Sequence, residues 1–454
     1  MLRRVLFRNF RMVLALDNWI RQRFTKAGQL VLGGLIAAGV FGIDTRQTWA
    51  YQLFSLLLAL ILLAMLTSWW GRVRLTAQRE LPQFATVGET LHYRIEVHNK
   101  TPRWQRGLIL RENIQRQQPS FEVFLRTKEP GHEQRNWFDN YVGYPRWLWL
   151  MNLSKGADST ESSLPPLPPT DSQSPHSSTH QSMAITLSLT PLRRGYIQFT
   201  GMSFARSDPL GLFNALYTLP LPEKLLILPK RYPVPPLVLS GSKRYQRGGV
   251  QLAMSVGEAE EFVGLRDYRP GDPLRHIHWK SWAKVGKPVV KEFQDEFFVR
   301  HALILDTFTA QVVSELFESA VKVAASFACA PRSQEILLDL MFVGTQAYCF
   351  TSGRGLSQPD QLLEILACVE ACPDQSFTQL YSLVMEQTPS LSGSICVLLN
   401  WDTDRQQLIQ SLKNQGISLW VVIVSEMELE IDRQKFPEVR VLPIDQLAEK
   451  LINL

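Results

Sequence analysis

The sequence has little of what marks the common catalytic chemistries. It contains no phosphate-binding loop of the Walker type, no glycine-rich dinucleotide fingerprint and no spacing typical of a zinc site or a catalytic triad. Its 5 cysteines all lie in the last third, where we predict buried free thiols in a reducing compartment: Cys329, Cys349, Cys368, Cys372 and Cys396. The chain is therefore not expected to hydrolyse nucleotides.

A strong excess of charge of one sign is also missing. The 48 Lys and Arg residues against 42 Asp and Glu residues give a net charge of +6, too little to indicate nucleic-acid binding across the surface. The positive charge is concentrated at the N-terminus, where only Asp17 opposes seven basic residues: Arg3, Arg4, Arg8, Arg11, Arg21, Arg23 and Lys26. Residues 1–26 are thus predicted to form a basic cytoplasmic segment.

Two long apolar runs follow and predict a transmembrane helical hairpin over residues 27–70. The first, 27–43, carries no charge and is slightly short for a bilayer core, whereas the second, 49–70, is closer to full length. Gly34, Ala38 and Gly42 recur on one face and would allow close helix packing. The alternative is a buried helical hairpin of a soluble protein.

The residues flanking these runs predict the topology. Trp69 and Trp70 suit the headgroup level, and Arg72 and Arg74 follow at once. Basic residues at both outer ends place both termini and the soluble domains on the cytoplasmic side. Before the first run, Leu6, Phe10, Val13, Leu16, Ile20 and Phe24 recur at helical spacing. This segment is either an amphipathic helix on the inner membrane surface or a basic tail that only enforces topology.

Residues 74–229 read as a β-sandwich-like module, because short segments alternate apolar and polar residues between turn signals. Segments 91–99, 121–127 and 185–191 are predicted strands. A stretch rich in Ser, Pro and Thr, 154–182, is predicted to be a disordered insertion. The aromatic run 141–151 favours a core strand, and the alternative is a loop that dips into the membrane interface.

From residue 299 to 454, apolar strands alternate with amphipathic helices. Strands that are apolar throughout are typical of a parallel sheet covered on both faces. The sequence therefore predicts a doubly wound α/β domain here. The fold class as a whole is a multidomain α/β plus all-β chain behind a membrane hairpin.

Between these two domains, residues 230–298 combine a basic linker with a densely charged segment around a Pro-Gly-Asp-Pro turn. The segment is predicted to be a strand-turn-strand unit and carries the main candidate site. The residues singled out are Gly257, Glu258, Glu261, Arg266, Tyr268, Gly271, Asp272, Arg275, His278 and Trp279.

Three interpretations of this segment stay open. In the first, its charged residues form an ion-pair network that locks the junction between the domains, with Tyr268 and Trp279 packing beneath. In the second, Asp272, His276 and His278 hold a metal ion for hydrolysis, since alternate residues of a strand share a face. In the third, Arg266, Arg269, Arg275 and Lys280 contact an anion, a nucleotide phosphate or an acidic protein segment.

The order of these parts resembles the bacterial family known as domain of unknown function 58. Two further motifs carry the resemblance, Arg194-Gly195-Tyr196 and the turn from Asp208 to Phe213. In the charged segment, the matching residues are Gly257, Glu258, Glu261, Phe262, Arg266, Tyr268, Gly271, Asp272, Arg275, Ile277, Trp279 and Ala283. The resemblance extends over most of the chain from Ala27 onward.

The resemblance implies a von Willebrand factor A-like domain over 299–454. It also implies a membrane-anchored scaffold or adaptor, not an enzyme, that acts with a MoxR-type AAA+ ATPase at the inner membrane in assembling or metallating client proteins. A lipid bilayer is a further expected partner, and no cofactor is expected. The alternative function is a metal-dependent hydrolase centred on Asp272, His276 and His278.

A von Willebrand A-type metal site requires Asp-x-Ser-x-Ser after its first strand, because carboxylate and hydroxyl oxygens are hard ligands for Mg²⁺. Here Asp306 is present, but Phe308 and Ala310 replace both hydroxyl residues. Asp306, Thr309 and Asp402 would form only a degenerate site for Mg²⁺ or another divalent ion. Without an ion, Asp306 would orient a helix start in a domain that serves as an interaction surface.

Overall fold

The structure is a computed structural model that describes the following residues: 2–41, 48–68, 73–116, 118–129, 131–169, 183–235, 261–272, 274–294, 299–309, 314–330, 336–353, 359–426, 429, 431–432 and 434–453. It has a mixed α/β fold with several sheets. The chain divides into two compact units. The N-terminal unit consists mainly of the residues up to Lys230, and the C-terminal unit mainly of those from Arg231 onward.

Three helices open the N-terminal unit: α1 (Leu2–Arg23), α2 (Lys26–Phe41) and α3 (Thr48–Ser68). In α3, residues Trp49–Ser68 form a helix long and apolar enough to cross a membrane, whereas α2 is shorter. Among the described residues, this is the one helix that meets that length. Gly34 faces Leu57 of α3 and Ala38 is buried, while Gly42 lies outside the described residues.

Two mainly antiparallel sheets follow in the same unit. Their strands are β1 (Leu75–Glu80), β2 (Phe84–Thr86), β3 (Leu91–Asn99), β4 (Leu108–Ile114), β5 (Ala157–Ser159), β6 (Ser162–Ser163), β7 (Met183–Pro191), β8 (Gly195–Ser207) and β9 (Asn214–Leu228). One sheet has the order β1-β3-β7-β5 and the other β2-β9-β8-β4-β6. Inward-facing residues of both sheets form one hydrophobic core, in which Ile95, Leu110 and Phe204 are fully buried.

A buried polar cluster crosses this apolar core. The Arg79 guanidinium donates two hydrogen bonds to the Glu112 carboxylate, at 3.2 and 2.7 Å, and the Tyr93 hydroxyl donates a third at 2.9 Å. Burial raises the pKa of Glu112, and the hydrogen bonds and charge of Arg79 oppose that shift. A buried carboxylate is costly when it loses its hydrogen-bond partners. Because Arg79, Tyr93 and Glu112 lie on β1, β3 and β4, the cluster fixes the relative positions of these three strands.

Two predicted strands are helices in the structure. Segment 121–127 contains α4 (Phe121–Arg126), and the aromatic run lies in α5 (Trp137–Val142) and α6 (Tyr144–Leu153). The Ser120 hydroxyl caps α4 by accepting the Val123 N–H, and Gly143 takes a left-handed conformation with φ +70° between α5 and α6. These end signals decide the outcome, since aromatic content alone does not separate a buried strand from a buried helix.

The Ser/Pro-rich stretch is partly ordered, which differs from the predicted disorder. Its first part supplies β5, which pairs with β7, and β6, which pairs with β4. Leu164 and Leu167 are buried in the core of the module. These leucines explain the difference, because they bury apolar area that the composition as a whole does not suggest. The rest of the predicted insertion, 170–182, lies outside the described residues.

The turn from Asp208 to Phe213 receives the junction between α1 and α2. Thr25 donates its backbone N–H to Leu212 O at 3.1 Å and its hydroxyl to Gly211 O at 2.5 Å. Gly28 lies so close to the turn that an added Cβ would be 1.9 Å from Leu212 O. The turn therefore holds the start of the apolar helices against the β module. We call this contact the anchor clamp.

The C-terminal unit contains a two-stranded sheet and a six-stranded sheet. Its elements are β10 (Glu261–Asp267), α7 (Trp279–Val285), β11 (Val289–Gln294), β12 (Val299–Leu305), α8 (Glu315–Ala328), β13 (Ile336–Val343), β14 (Ala347–Ser352), α9 (Pro359–Cys368), α10 (Thr378–Gln387), β15 (Gly393–Leu398), α11 (Thr403–Asn414), β16 (Ser418–Ser425), β17 (Val439–Pro443) and α12 (Leu447–Ile452). The larger sheet has the order β14-β13-β12-β15-β16-β17. Helix α10 and strand β17 are absent from the sequence prediction.

Five strands of the larger sheet are parallel, as the apolar sequences of β12, β13, β15 and β16 predict for those four, and β14 pairs with β13 in the antiparallel direction. The connection between β13 and β14 is too short for a crossover, which parallel pairing would require. From β12 the chain winds first toward β13 and later toward β15. The strand order therefore reverses between β12 and β15, a position where α/β sheets form a crevice.

The cysteines are free, as predicted, but only Cys396 is buried. Burial raises the pKa of the Cys396 thiol to about 12. Cys349 and Cys368 are exposed, and Cys329 and Cys372 are half-buried. Four of the five thiols are therefore less buried than expected, because they lie at the ends of elements and on the edge strand β14.

The anchor clamp predicts that position 28 does not accept a side chain. In Gly28→Ala, the new Cβ must displace the turn backbone, which should lower the free energy of unfolding by about 1–3 kcal/mol. Thermal unfolding of the full chain in detergent measures this loss. The matched control is Gly33→Ala in the same helix, where nothing lies within 4 Å of an added Cβ. Equal effects of the two substitutions would contradict the clamp.

Candidate functional site

The charged segment folds as a hairpin that we call the motif hairpin, residues 261–294. Strands β10 and β11 pair antiparallel, with a bulge between Phe262 and Gly264. A short 3-10 turn, Leu274–His276, and helix α7 lie between the strands. The predicted strand-turn-strand unit is thus correct for its two strands and wrong for the residues between them. Gly257 and Glu258 lie outside the described residues, and Glu261 is the first residue of β10.

One ion pair shapes the turn of the motif hairpin. The Arg266 guanidinium donates two hydrogen bonds to the Asp272 carboxylate, at 2.7 and 2.8 Å. The Arg269 backbone N–H donates a third to the same carboxylate at 2.8 Å. Gly271 has φ +108°, a left-handed conformation that side chains rarely adopt. The Asp272 side chain therefore closes a tight turn that directly follows β10.

These contacts also set the charge of Asp272. The hydrogen bonds from the Arg266 guanidinium and then from the Arg269 backbone lower the pKa of the Asp272 carboxyl to about 2. A carboxylate whose pKa is lower in the folded state stabilises that state above its unfolded pKa and stops doing so as the pH falls through the folded value. The turn is therefore held by an ionised Asp272 throughout the physiological range.

The two histidines of the motif hairpin bond to nearby groups. Arg275 donates its Nε–H to His276 Nε2 at 3.2 Å, and His278 Nδ1 lies 2.6 Å from Ser281 Oγ. Since His276 lies in a 3-10 turn and His278 just before α7, they do not share a strand face, contrary to the expectation for the metal-site interpretation. Within the described part of the chain, no three His, Cys, Asp or Glu side chains gather as a metal site would require.

The outer side of the motif hairpin is both apolar and basic. Leu274, Trp279 and Val285 are 68 %, 64 % and 62 % exposed. The Trp279 ring stacks on Trp282 with centroids 5.2 Å apart. The exposed basic side chains of the same hairpin are Arg269, Arg275, Lys280, Lys284 and Lys287. Trp279 does not pack beneath the ion pairs as expected, whereas Tyr268 is half-buried.

The charge of this surface is one-sided. Between residues 264 and 291 the sequence has only two acidic residues, Asp267 and Asp272, and Asp272 is already bonded to Arg266. Exposed Trp and Arg side chains are residue types enriched in protein-binding hot spots, and the surplus of Arg and Lys complements the charge of an acidic partner. We call residues Leu274, Trp279, Val285 and the five basic residues the motif surface.

The second predicted site lies at the end of β12, where the strand order of the sheet reverses. Asp306 is fully buried there, and its carboxylate accepts the N–H groups of Phe308 at 3.0 Å and Leu399 at 3.1 Å. Arg405 donates its Nε–H to the same carboxylate at 2.6 Å and also bonds to Asp402. Asp402 in turn caps α11 by accepting the Arg405 N–H. Thr309 is half-buried in the loop after β12.

Arg405 occupies the position where a bound cation would neutralise Asp306 and Asp402. It is 6 % exposed, and its guanidinium lies over the Phe377 ring at 4.7 Å. Burial lowers the pKa of Arg405, but the two carboxylates raise it more, so the net shift is upward and the side chain stays charged. Because both carboxylates are bonded to this guanidinium, they do not fit as ligands of a divalent ion.

Arg405 is absent from the residues predicted for this site. The available signal is its spacing, since a residue three positions after a helix-capping Asp can reach back to the cap. The spacing does not show that the end of β12 lies close to the start of α11. That proximity depends on the strand order, which brings Asp306 and Arg405 together although they are 99 residues apart.

Comparisons with known proteins give limited context. No protein-family model matches the chain. The uncharacterized protein YeaD of Bacillus subtilis (strain 168) is 27 % identical over 150 residues, which are 32 % of this chain and 35 % of that protein. The chain therefore aligns with about a third of the length of this curated relative. The resemblance to the domain of unknown function 58 family stays a prediction.

The low pKa of Asp272 predicts how the turn responds to acid. The Arg269 amide should stay protected from hydrogen exchange from pH 7 down to about pH 4 and lose protection as the pH approaches 2, because protonation removes its acceptor's charge. Exchange at pH 7 should also be faster in Asp272→Asn. The Tyr268 amide, which bonds to Pro288 O, is the internal control. Parallel loss at both amides would point to general unfolding instead.

The buried pair predicts a large effect of removing its positive member. Arg405→Ala leaves Asp306 buried without a counter-charge, which should cost about 3–5 kcal/mol of unfolding free energy. The control is Lys413→Ala, which removes a partly exposed pair with Glu438 and should cost roughly 0–1 kcal/mol. Chemical denaturation of both variants in detergent measures the difference. An Arg405→Ala protein as stable as Lys413→Ala would refute the pairing.

Proposed function

We propose that this chain is a membrane-anchored adaptor that binds a partner protein through the motif surface. The observation that carries the proposal is the exposed Trp279, which stacks on Trp282 in a hairpin that has several exposed basic side chains and a turn closed by Arg266 and Asp272. Exposed apolar side chains of this size are costly to leave in water unless a partner covers them. The rigid turn lowers the conformational entropy lost on binding.

The membrane anchor comprises α3 and, in this proposal, α2 as a second span beside it. The apolar sequence of α2, which carries no charge after Lys26, and its contacts with α3 support this assignment. The basic residues before α2 favour a topology with both termini and both units on the cytoplasmic side of the inner membrane. The motif surface would then face the cytoplasm, where soluble ATPases are found.

The partner that we propose is a MoxR-type AAA+ ATPase, with client proteins as the eventual substrate for assembly or metallation. This part rests on the resemblance to the domain of unknown function 58 family. The six-stranded sheet with a carboxylate at its switch point agrees with a von Willebrand A-like domain. With Arg405 in the cation position, such a domain would act as an interaction surface and need no bound ion.

The alternative, a metal-dependent hydrolase centred on Asp272, His276 and His278, has weaker support. Asp272 directs both carboxylate oxygens at Arg266, so a metal ion would have to displace a guanidinium. The two imidazoles contact Arg275 and Ser281. No described contact joins any two of the three residues, and we therefore favour the adaptor.

The adaptor function predicts that one tryptophan controls partner capture. The full chain, purified in detergent, should retain a purified MoxR-type ATPase of the same cell, and Trp279→Ala should weaken that binding by roughly tenfold or more. Trp104→Ala is the control, since Trp104 is 55 % exposed in the other unit. Binding measured by surface plasmon resonance decides the outcome. No binding by the unmodified chain, or equal losses in the two variants, would argue against the proposal.

A further inference from the structure

Helix α1 has an apolar face that is already covered. Phe7 is buried, and its ring centroid lies 5.0 Å from that of Trp147 and 5.5 Å from that of Phe124. Phe10 and Leu14 pack against the same cluster. These contacts attach α1 to helices α4 and α6. The inward face therefore needs no further partner.

A second apolar face lies on the opposite side of α1. Val5, Met12, Leu16 and Trp19 follow one another at intervals of seven, four and three residues, which places them on one stripe of a helix. Leu16 comes nine residues after the buried Phe7, about two and a half turns along the helix, and so points the opposite way. Met12 is 74 % exposed and Leu16 56 %. We call these four residues the outer stripe.

The flanks of the outer stripe are positively charged. Arg4, Arg8 and Arg11 are exposed on the flank between the two apolar faces. The one acidic residue of α1, Asp17, bonds to Arg21 at 2.8 Å. The arginines before it therefore have no carboxylate on their own helix. Apolar side chains flanked by arginines are typical of helices that lie in the headgroup region of a bilayer, because guanidinium groups bind phosphate.

The anchor clamp determines where α1 lies along the membrane helices. Phe24, immediately after α1, packs with Phe213 of the turn and with Ile61 and Ala64 of α3. These two α3 residues belong to its last two turns, near the end at which the spanning segment finishes. The C-terminal end of α1 is thus held beside one end of the helix that can cross a membrane.

From this arrangement we propose that the outer stripe is a lipid-binding face. The α1 helix lies along the bilayer surface, with Val5, Met12, Leu16 and Trp19 inserted among the acyl chains and the arginines bonded to the phosphates of anionic phospholipids. The proposal rests on the membrane anchoring proposed above. The helical spacing in the sequence predicts Phe10 and Leu16 on one apolar face, whereas in the structure Phe10 packs against the protein and Leu16 is exposed.

The test measures whether lipid covers the outer stripe in the full chain. Met12→Cys, Leu16→Cys and, as a control, His92→Cys on an exposed position of β3 are reconstituted into vesicles of phosphatidylcholine with or without phosphatidylglycerol. A water-soluble maleimide is then added to the vesicles, and peptide mass spectrometry quantifies the rate at which each cysteine is labelled. With phosphatidylglycerol, the two stripe cysteines should react roughly tenfold or more slowly than Cys at position 92.

Each of the other outcomes contradicts a different part of the proposal. Stripe cysteines that react as fast as the control, in protein that floats with the vesicles, would overturn the lipid-binding face and leave the anchoring intact. Equal protection without phosphatidylglycerol would overturn the role of anionic phosphate. Protection that disappears as the protein is diluted in lipid would assign the stripe to a second copy of the chain. Protein that does not float with the vesicles would overturn the membrane anchoring itself.

Discussion

The attachment of the apolar helices to the β module depends on one carboxylate. Asp208 accepts the backbone N–H groups of Leu210 at 2.9 Å, and of Leu212 and Phe213 at 2.7 Å each. These bonds close the turn so that the carbonyl groups of Gly211 and Leu212 point outward to Thr25. Because the three donors are backbone groups, the turn keeps its shape whatever side chains lie nearby. The orientation of α1 follows from that shape.

Two arginine–carboxylate pairs in the C-terminal unit show how burial changes the role of the same contact. The pair of Arg266 with Asp272 is partly exposed, with about a third of the arginine side chain open to solvent. It acts mainly on the conformation of a turn, since an exposed pair contributes little free energy. The pair of Arg405 with Asp306 is almost completely buried. There the guanidinium offsets the cost of burying the Asp306 charge. Removal of either partner would leave the other charge buried without that compensation.

Much of the fold could be predicted from periodicity. The alternation in β3 and β7 and the apolar runs of β12, β13, β15 and β16 give strands where the structure has them. The failures have a common cause, since each depends on a feature that apolar–polar periodicity does not contain. The aromatic run became α5 and α6 because Gly143 ends one helix and begins the next. Likewise, the sequence predicts a candidate site in the motif hairpin but not the exposure of Trp279. It predicts Asp306 and Asp402 for the second site but not the pairing of both with Arg405.

The guanidinium beside Asp306 differs from a bound metal ion in its permanence. A metal ion leaves when its concentration falls or when a chelator removes it, whereas Arg405 is covalently part of α11 and is always present. Arg405 therefore stays bonded to Asp306 and Asp402 whatever the supply of magnesium or calcium in the cell.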